Sequence, residues 1–369
     1  MTNSTRCGEC ILPDSLPGVN LDKDGTCNYC RDFARKEDRN PHLSADERLR
    51  RLERLVAPYR KRGREYDCLV PVSGGKDSML VLYAACRLLH LRVLAYNFDN
   101  GFQSARAREN IQAAVKTLGV DLITYKPNEI LLDQLFKLFL TRTGEFCTPC
   151  NLIIQAAAYR IASQNGIPLI LSGGSSRVFG GIQGVSQSKY ADRAYFKNVL
   201  QGHVDFREAK RFVVENPWKR AVRRYTRTGP TLVDVLDYVY PGLEQTRDLL
   251  EKELGWRPTS DELEHGDCVL NPLKDYLQNR KWGYSEVTQS YSSLVRTKQM
   301  TREEALDHAE EEETRQPPAV LESFLNRIGM SREEFEQTKH RHFTEFPNYP
   351  QSRWYRMGKK AVALMRKVV

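Results

Sequence analysis

The six residues Ser73-Gly74-Gly75-Lys76-Asp77-Ser78 have the types and the spacing of an anion-binding turn. They follow the apolar run 68–72 and begin a second apolar stretch. A strand that enters a helix through such a turn points backbone N–H groups and a helix N-terminus at one place, which favours a phosphate group. Lys76 adds a point charge. The pattern predicts a nucleotide site with Lys76, Asp77 and Ser78 as catalytic candidates, and an ordinary strand–helix turn is the alternative.

Two cysteine pairs near the N-terminus have the spacing of a zinc ribbon. Sixteen residues separate Cys7-x2-Cys10 from Cys27-x2-Cys30, which is within the range for a four-thiolate zinc site. Such a site is tetrahedral and closed, and it can hold together a segment that is too small to fold alone. The spacing therefore predicts structural Zn²⁺, and four free thiols are the alternative.

A second set of cysteines consists of Cys147, Cys150 and the distant Cys268. Thr148 is a good N-cap and Pro149 a good first helical residue, so Cys150 falls in the first turn of a helix, where the thiol pKa is lowered. Three cysteines could hold three irons of a [4Fe–4S] cluster and leave the fourth iron open. A zinc or redox pair, or a structural pair with an unrelated Cys268, are the alternatives. We expect the three sulfurs to meet close to the glycine-rich turn.

The composition is that of a globular protein with more than one domain. The chain has 369 residues, of which 40% are hydrophobic and 28% charged, and this excludes a disordered chain. No apolar run approaches the ~20 residues that span a bilayer, and the N-terminus lacks the apolar region of a signal peptide. We therefore expect a cytoplasmic protein without a membrane partner. The net charge of +9 favours an acidic partner such as ATP, a nucleotide sugar or RNA.

Strands and helices alternate from residue 67. Continuous apolar runs predict buried parallel strands over 68–72, 91–98, 120–125 and 167–171. Helical patterns lie between them, over 78–90, 104–118, 128–142 and 149–165. Repeated strand–helix units predict an α/β fold with a doubly wound parallel sheet, whose ligand lies at the carboxyl ends of the strands. Asp99, after the second strand, and Gly173-Gly174, after the fourth, should therefore line the same crevice as the turn.

The glycine-rich turn resembles a PP-loop and not a Walker A loop, because Val70 and Asp77 replace the Gly and the Ser or Thr of the latter. Three sets of residues, from residue 6 to about 306, carry a wider resemblance. They are Arg6–Asp14 with Pro17-Gly18 and Asp24–Cys30, Tyr66-Asp67-Cys68 with Ser73–Ser78 and Asn97–Phe102, and Leu294–Thr297 with Met300–Ala305. Together they resemble the N-acetyl sugar amidotransferase family of surface-polysaccharide biosynthesis, which belongs to the PP-loop ATP pyrophosphatases. At Gly173-Gly174-Ser175-Ser176-Arg177 the chain departs from the family pattern, which leaves the acceptor sugar open.

The resemblance implies an ATP-dependent amidotransferase that binds ATP and Mg²⁺ at Ser73–Ser78, beside Asn97, Asp99 and Gly173-Gly174. An acetamido oxygen of an N-acetylated, nucleotide-linked sugar attacks the α-phosphorus of ATP, and pyrophosphate leaves. Ammonia then displaces AMP and gives an acetamidino group. The chain shows no glutaminase elements, so the resemblance implies ammonia from partners like the glutaminase and cyclase subunits of histidine biosynthesis.

The sequence pattern divides the chain into five segments. They are a zinc-ribbon knuckle at 1–40, a connector helix at 41–66 (helical from Ala45 to Tyr66), the PP-loop ATP-binding domain at 67–185, a substrate-facing domain at 186–300, and C-terminal helices with a basic tail at 301–369. Two other functions fit parts of this pattern. An iron–sulfur PP-loop sulfur transferase, acting on a small molecule or tRNA, would use the second cysteine set. A zinc-ribbon nucleic-acid-binding module with a degenerate nucleotide fold would use the basic charge. The intact Lys76, Asp77 and Ser78 argue against such degeneration, so we do not expect nucleic acid as the partner.

Overall fold

The computed structural model describes residues 5–16, 18–39, 43–60, 63–175, 193–212, 229–259, 266–314, 316–341, 345–347 and 349. Ser176 and Arg177, most of the basic segment 207–227, and the basic tail beyond residue 349 lie outside these ranges. Within the ranges, no helix has both the length and the apolar character that a membrane crossing requires.

A five-stranded parallel sheet forms the centre of the molecule, with the strand order β3-β2-β1-β4-β5. Its strands are β1 Cys68–Val72, β2 Val93–Phe98, β3 Asp121–Tyr125, β4 Leu169–Ser172 and β5 Thr231–Asp234. The register pairs Cys68 with Val93 on one side of β1 and with Leu169 on the other. The chain therefore winds outward from β1 in both directions, which confirms the predicted doubly wound sheet and opens a crevice at the carboxyl ends of β1 and its neighbours.

Helices cover both faces of this sheet. The helices between the first four strands are α3 Lys76–Tyr83, α4 Ala105–Leu118, α5 Glu129–Thr143 and α6 Thr148–Gln164. Val70 packs on one face with Leu80 and Ile111, whereas Leu69 packs on the other face with Ala158 and Ile161. Because successive side chains of a strand point to opposite faces, these neighbours put both sides of β1 in the core.

The remaining elements are mostly helical. They are α1 Asn28–Arg39, α2 Ala45–Val56, α7 Arg193–Leu200, α8 Phe206–Ala209, α9 Leu236–Val239, α10 Leu243–Leu254, α11 Asn271–Trp282, α12 Glu286–Arg296, α13 Arg302–Thr314, α14 Val320–Ile328 and α15 Arg332–His340. Thr301 and Ser331 precede α13 and α15, and each hydroxyl accepts a hydrogen bond from the backbone N–H of the third residue on. The predicted helical C-terminal part is confirmed.

The fifth strand corrects the predicted organisation. Thr231–Asp234 lies in the segment predicted as a substrate-facing domain, yet it pairs with β4 and extends the sheet. The strand has four residues and is half exposed, so it has no continuous apolar run to mark it.

Two helices also end earlier than predicted. Helix α2 ends at Val56, before a 3-10 turn that contains Pro58, and α3 ends at Tyr83, before a single π-helical turn over Ala84–Leu88.

The N-terminal cysteine segment packs on the C-terminal helices. Short antiparallel bridges join Arg6 to Pro13 and Leu21 to Cys27. The buried cysteines form one apolar cluster with Trp282 and Tyr284. This segment is therefore attached to the far end of α11 and not to the sheet.

Candidate active site and cysteine centres

The glycine-rich turn joins β1 to α3 at the carboxyl edge of the sheet. Gly75 is the N-cap of α3, so the first turn of this helix points its N–H groups toward the crevice. Gly74 has a φ of +87°, and a Cβ at this position would lie 2.3 Å from the carbonyl oxygen of Ala107. Only glycine fits here, because both the backbone conformation and the contact with α4 exclude a side chain.

Hydrogen bonds to its backbone hold the Ser73–Ser78 turn in one conformation. The Trp256 indole and the Asn110 amide both donate to the carbonyl oxygen of Gly74, at 2.9 and 3.1 Å. The Ser78 hydroxyl accepts from the Ser73 N–H at 3.1 Å and donates to the Gly75 carbonyl at 3.0 Å. Ser78 therefore closes the turn on itself. These contacts give a rigid cradle whose open side faces the crevice.

Lys76 and Asp77 lie together at the start of α3. The Lys76 ammonium is 3.1 Å from Oδ2 of Asp77. The second carboxylate oxygen of Asp77, Oδ1, is buried and has no hydrogen-bond partner among the described residues. A buried carboxylate oxygen needs a partner, and an oxygen ligand beside a phosphate cradle suits Mg²⁺. The residues present therefore fit this cation, which would neutralise phosphate charge.

The predicted residues after β4 lie on the other side of the turn. A Cβ on Gly173 would be 3.8 Å from the Cβ of Asp77, and one on Gly174 would be 2.4 Å from the Asp234 carboxylate. Asp234 also bonds the Ser172 hydroxyl at 2.5 Å. The missed strand β5 thus supplies an acidic side chain at this edge, which the sequence pattern did not indicate.

Asn97 and Asp99 have different positions. Asn97 is buried and exchanges hydrogen bonds with Gln103, whose amide donates to the Ser73 carbonyl at 3.1 Å. Its side chain therefore supports the turn from within the sheet. Asp99 pairs with Lys126 at 3.0 Å. Burial raises the pKa of Asp99, but the Gly101 N–H and Lys126 outweigh this effect and lower the pKa overall.

A cavity of about 300 Å³ opens beside the turn. Ser73 of the turn lines it, and so do Lys274 and Glu286. The other lining residues are Phe98, Asn100, Gln103, Phe136, Glu145, Phe146, Cys147, Cys150, Asn151, Ile154, Asp267, Cys268, Leu270 and Asn271. The cavity is at the small end of the range for ligand sites and has polar groups along its length. We call it the central pocket.

All three cysteines of the second set line the central pocket. The Asn100 amide lies 3.6 Å from the Cys150 sulfur and 3.8 Å from the Cys268 sulfur, so one donor faces both thiols. A Cβ added to Gly75 would lie 3.6 Å from the Asp267 carboxylate. The segment that carries Cys268 therefore also lies against the turn. The three described sulfurs do not all lie within 4.8 Å of one another, so the expectation that they meet at a single metal ion is not confirmed. Soft thiol ligands that line one pocket are nevertheless of the type that holds an iron–sulfur cluster.

The predicted pKa of Cys150 is wrong in direction. Helix α6 begins at Thr148, and its N-cap is Cys147 and not the predicted Thr148; Cys150 is in the first turn as expected. Burial nevertheless raises the pKa of the Cys150 thiol to about 12, and the Asn100 amide only partly offsets it. Burial also raises the pKa of Cys147 and of Cys268. Desolvation of the thiolate therefore outweighs the helix terminus.

The central pocket also carries an ion pair that the sequence did not indicate, between the buried Lys274 and a partly exposed Glu286. Lys274 on α11 is 2.7 Å from Glu286 on α12. Burial lowers the pKa of Lys274, but Asp275 and Glu286 raise it more strongly, so the pKa is raised overall. No motif joins these residues, because they belong to two helices that meet only in the folded chain.

The N-terminal cysteines form a closed centre. The Cys7–Cys30 and Cys10–Cys27 sulfurs are 4.0 and 3.8 Å apart, and a tetrahedral zinc with Zn–S bonds of about 2.3 Å would hold its sulfurs about 3.8 Å apart. Among the described residues, this is the one group of metal-ligating side chains whose ligand atoms all lie within 4.8 Å of one another. The Cys27 N–H points at the Cys7 sulfur at 3.2 Å. The four residues therefore fit structural zinc.

Comparison with known proteins identifies relatives at two levels. An uncharacterized protein of Methanocaldococcus jannaschii is 28% identical over 122 residues, which are 33% of this chain and 43% of that protein. The chain thus matches less than half the length of this relative. Two solved structures are similar. The U34-tRNA thiolase NcsA from Methanococcus maripaludis with its [4Fe–4S] cluster has 15% identity, a TM-score of 0.32 and coverage of 83% of this chain and 88% of its own. NMN synthetase from Francisella tularensis has 13% identity, a TM-score of 0.36 and coverage of 84% and 100%.

A protein-family model matches the C-terminal part of the chain. The model is described as the C-terminal domain of WbpG-like LPS biosynthesis proteins, and it matches residues 260–362. The matched range contains Cys268, Lys274 and Glu286 of the central pocket, as well as α11 to α15. This part of the chain is therefore similar to the C-terminal domain of WbpG-like LPS biosynthesis proteins.

Proposed function

We propose that the chain is a PP-loop amidotransferase that adenylates the acetamido oxygen of an N-acetylated, nucleotide-linked sugar. Ammonia then replaces that oxygen to give an acetamidino group, and the reaction releases AMP and pyrophosphate. The observation that carries the proposal is the position of the Ser73–Ser78 turn, which opens on the central pocket at Ser73. The part of the chain that is similar to WbpG-like C-terminal domains supplies Cys268, Lys274 and Glu286 to the pocket lining, and this similarity supports a substrate from surface-polysaccharide synthesis.

The turn would bind the phosphates of ATP. The N-terminus of α3 and the Lys76 ammonium favour the charge that develops on pyrophosphate as it leaves. Asp77 would hold Mg²⁺ through its unpartnered Oδ1, and this cation would add charge neutralisation. The hydrogen bonds from Trp256 and Asn110 to the Gly74 carbonyl keep the cradle in one geometry, which is what preorganised stabilisation of a leaving group needs.

The central pocket would bind the acceptor. Its volume of about 300 Å³ suits a single polar group such as one sugar ring and is at the small end for whole ligands. Asn151, Asn271 and Glu145 also line the pocket, and such side chains can hydrogen-bond hydroxyl and amide groups. An acetamido group that enters from this pocket would meet the α-phosphate beside Ser73.

The bonds balance without a further reactant. The acetamido oxygen forms a bond to the α-phosphorus as the bond to the β-phosphate breaks, and AMP later leaves with that oxygen when ammonia adds to the carbon. The nitrogen donor would be a glutaminase partner that delivers ammonia to this chain. The acetamido oxygen must therefore end in the AMP phosphate.

An isotope experiment tests this proposal. A panel of nucleotide-linked N-acetyl sugars with ¹⁸O in the acetamido group is incubated with Mg²⁺, ATP and ammonium, and the products are followed by phosphorus NMR and mass spectrometry. We expect AMP that carries ¹⁸O, together with pyrophosphate. ADP and inorganic phosphate would contradict the proposal. Lys76→Met should abolish the reaction, whereas Lys116→Met, at an exposed site on α4, should leave it unchanged.

Sulfur transfer is the second candidate, and the three cysteines in the central pocket favour it. The same adenylated oxygen would be displaced by a sulfur nucleophile, and Cys147, Cys150 and Cys268 would hold three irons of a [4Fe–4S] cluster that supplies redox and sulfur chemistry. The mass of the modified acceptor distinguishes the two reactions, because nitrogen and sulfur products differ. Iron in anaerobically purified protein, with a thioamide product, would favour sulfur transfer.

A further inference from the structure

Arg296 is a buried arginine beside the closed cysteine centre. It is the last residue of α12, it is 7% exposed, and its Nη1 lies 3.4 Å from the Cys10 sulfur. Its Nε and Nη2 atoms are buried and have no hydrogen-bond partner among the described residues. A buried guanidinium that has no carboxylate partner among the described residues is costly, so we look for another source of negative charge beside it.

A second arginine fixes the same knuckle by a different contact. Arg302, at the start of α13, donates to the carbonyl oxygens of Cys7 and Cys10 at 3.1 to 3.3 Å. These bonds position the backbone of the first cysteine pair and do not reach a sulfur. The two arginines therefore separate two effects, since one faces the sulfur charge and the other faces the main chain.

The negative charge of the four-cysteine centre with zinc bound explains why Arg296 lies beside it. Four thiolates around one divalent cation carry a net charge of about −2, and thiolate ligands are the form that zinc binds. Such a charge in a buried cluster with Trp282 and Tyr284 is stabilised by a nearby cation. Groups around the ligands commonly change metal affinity by about 10- to 100-fold.

We propose that Arg296 is the counter-charge of the metal-loaded Cys7, Cys10, Cys27 and Cys30 centre, and that it sets the affinity of this centre for zinc. It acts on the ligand sulfur and is a positioning residue, not a ligand. The role of the C-terminal stretch around Arg296 and Arg302 is then to bind the N-terminal segment in its metal-loaded form. This inference does not depend on the reaction that the chain catalyses.

Zinc competition with a chelating dye tests the proposal on the full chain. The variants are Arg296→Gln, which keeps a hydrogen-bonding group without charge, Arg296→Lys, which keeps the charge, and Arg302→Met. We expect about 10- to 100-fold weaker zinc binding for Arg296→Gln, a smaller loss for Arg296→Lys, and a smaller loss for Arg302→Met. Arg280→Met, at an exposed site on α11, is the control and should match the wild type.

The order of the two Arg296 variants decides between charge and packing. Zinc affinity equal to wild type in Arg296→Gln, or equal losses in the Gln and Lys variants, would overturn the proposal. The cobalt-substituted protein gives a second readout, because the sulfur-to-cobalt charge-transfer band should shift in Arg296→Gln and stay near wild type in Arg302→Met. If Arg296→Gln does not fold, Arg296→Lys decides alone, and a loss of more than about 100-fold in zinc affinity would contradict a charge role.

Discussion

The two cysteine centres differ in how far the chain closes around the sulfurs. In the N-terminal centre, four sulfurs lie as close as 3.8 to 4.0 Å, backbone N–H groups point at them, and Arg296 covers one side. In the central pocket, three sulfurs line a cavity of about 300 Å³ that reaches the Ser73–Ser78 turn. A closed centre suits a structural metal, whereas an open one leaves room for a reacting group.

Two helices connect these centres. Helix α12 begins with Glu286 at the central pocket and ends with Arg296 at the closed centre. Helix α11 begins with Asn271 at the pocket and ends with Trp282 in the cluster around the closed centre. The closed centre thus holds the ends of the two helices that carry the Lys274–Glu286 pair. We infer that it contributes to activity by fixing these helices and not by chemistry of its own.

Loss of one ligand from each centre should separate the two roles. Cys27→Ser is expected to lower the free energy of unfolding by at least about 3 kcal/mol, a fraction of the roughly 10–16 kcal/mol that structural zinc contributes in small domains. Cys150→Ser should leave the melting temperature nearly unchanged, because its sulfur lines an open cavity, but should reduce AMP formation at least about tenfold. Thermal melts, zinc content and AMP release per folded molecule check this. A Cys27→Ser protein with wild-type melting temperature and full zinc would remove the difference between the centres.

Gly74→Ala should distort the Ser73–Ser78 turn beside the central pocket without affecting the closed N-terminal cysteine centre. The new Cβ would lie 2.3 Å from the Ala107 carbonyl oxygen, at a position whose φ is +87°. We therefore expect the free energy of unfolding to fall by about 2–4 kcal/mol. Activity should fall at least about 100-fold. Gly119→Ala is the matched control, since its φ is also positive at +64° but nothing lies within 4 Å of the added Cβ. It should cost about 1 kcal/mol and leave activity intact. Zinc content should be unchanged in both, and equal activities of the two variants would contradict the assigned role of the turn.

A buried lysine near the end of α11 should give a smaller, pH-dependent effect. Burial, with help from Arg341, lowers the pKa of Lys281 from 10.5 to about 8. Between these values the unfolded chain binds a proton that the folded chain does not, so the free energy of unfolding should rise with pH by up to about 1.4 kcal/mol per unit. Denaturant unfolding from pH 8 to 10 measures the slope, with Lys281→Met as the reference. Parallel slopes for wild type and variant would show that Lys281 stays charged in the folded chain.

The sequence predicted the sheet better than the pocket. Buried parallel strands are continuous apolar runs, so β1 to β4 were found with ends within two residues. Strand β5 was missed because Leu232 is exposed and the strand has only four residues. Lys274 and Glu286 were missed because tertiary packing alone brings them together. The pKa of Cys150 had the wrong direction because position in a helix can be read from sequence, whereas burial cannot.

Thiol mapping with and without nucleotide tests the difference between the centres most directly. The protein is freed of iron under anaerobic conditions and labelled with N-ethylmaleimide, with and without Mg²⁺ and a non-hydrolysable ATP analogue. Mass spectrometry then gives the labelling rate of each cysteine. We expect the nucleotide to slow labelling of Cys147, Cys150 and Cys268 several-fold, while the four N-terminal cysteines react only after zinc is removed and show no nucleotide dependence. Nucleotide-independent labelling of the pocket cysteines, or nucleotide-dependent labelling of Cys7, Cys10, Cys27 and Cys30, would contradict an ATP site beside the open centre.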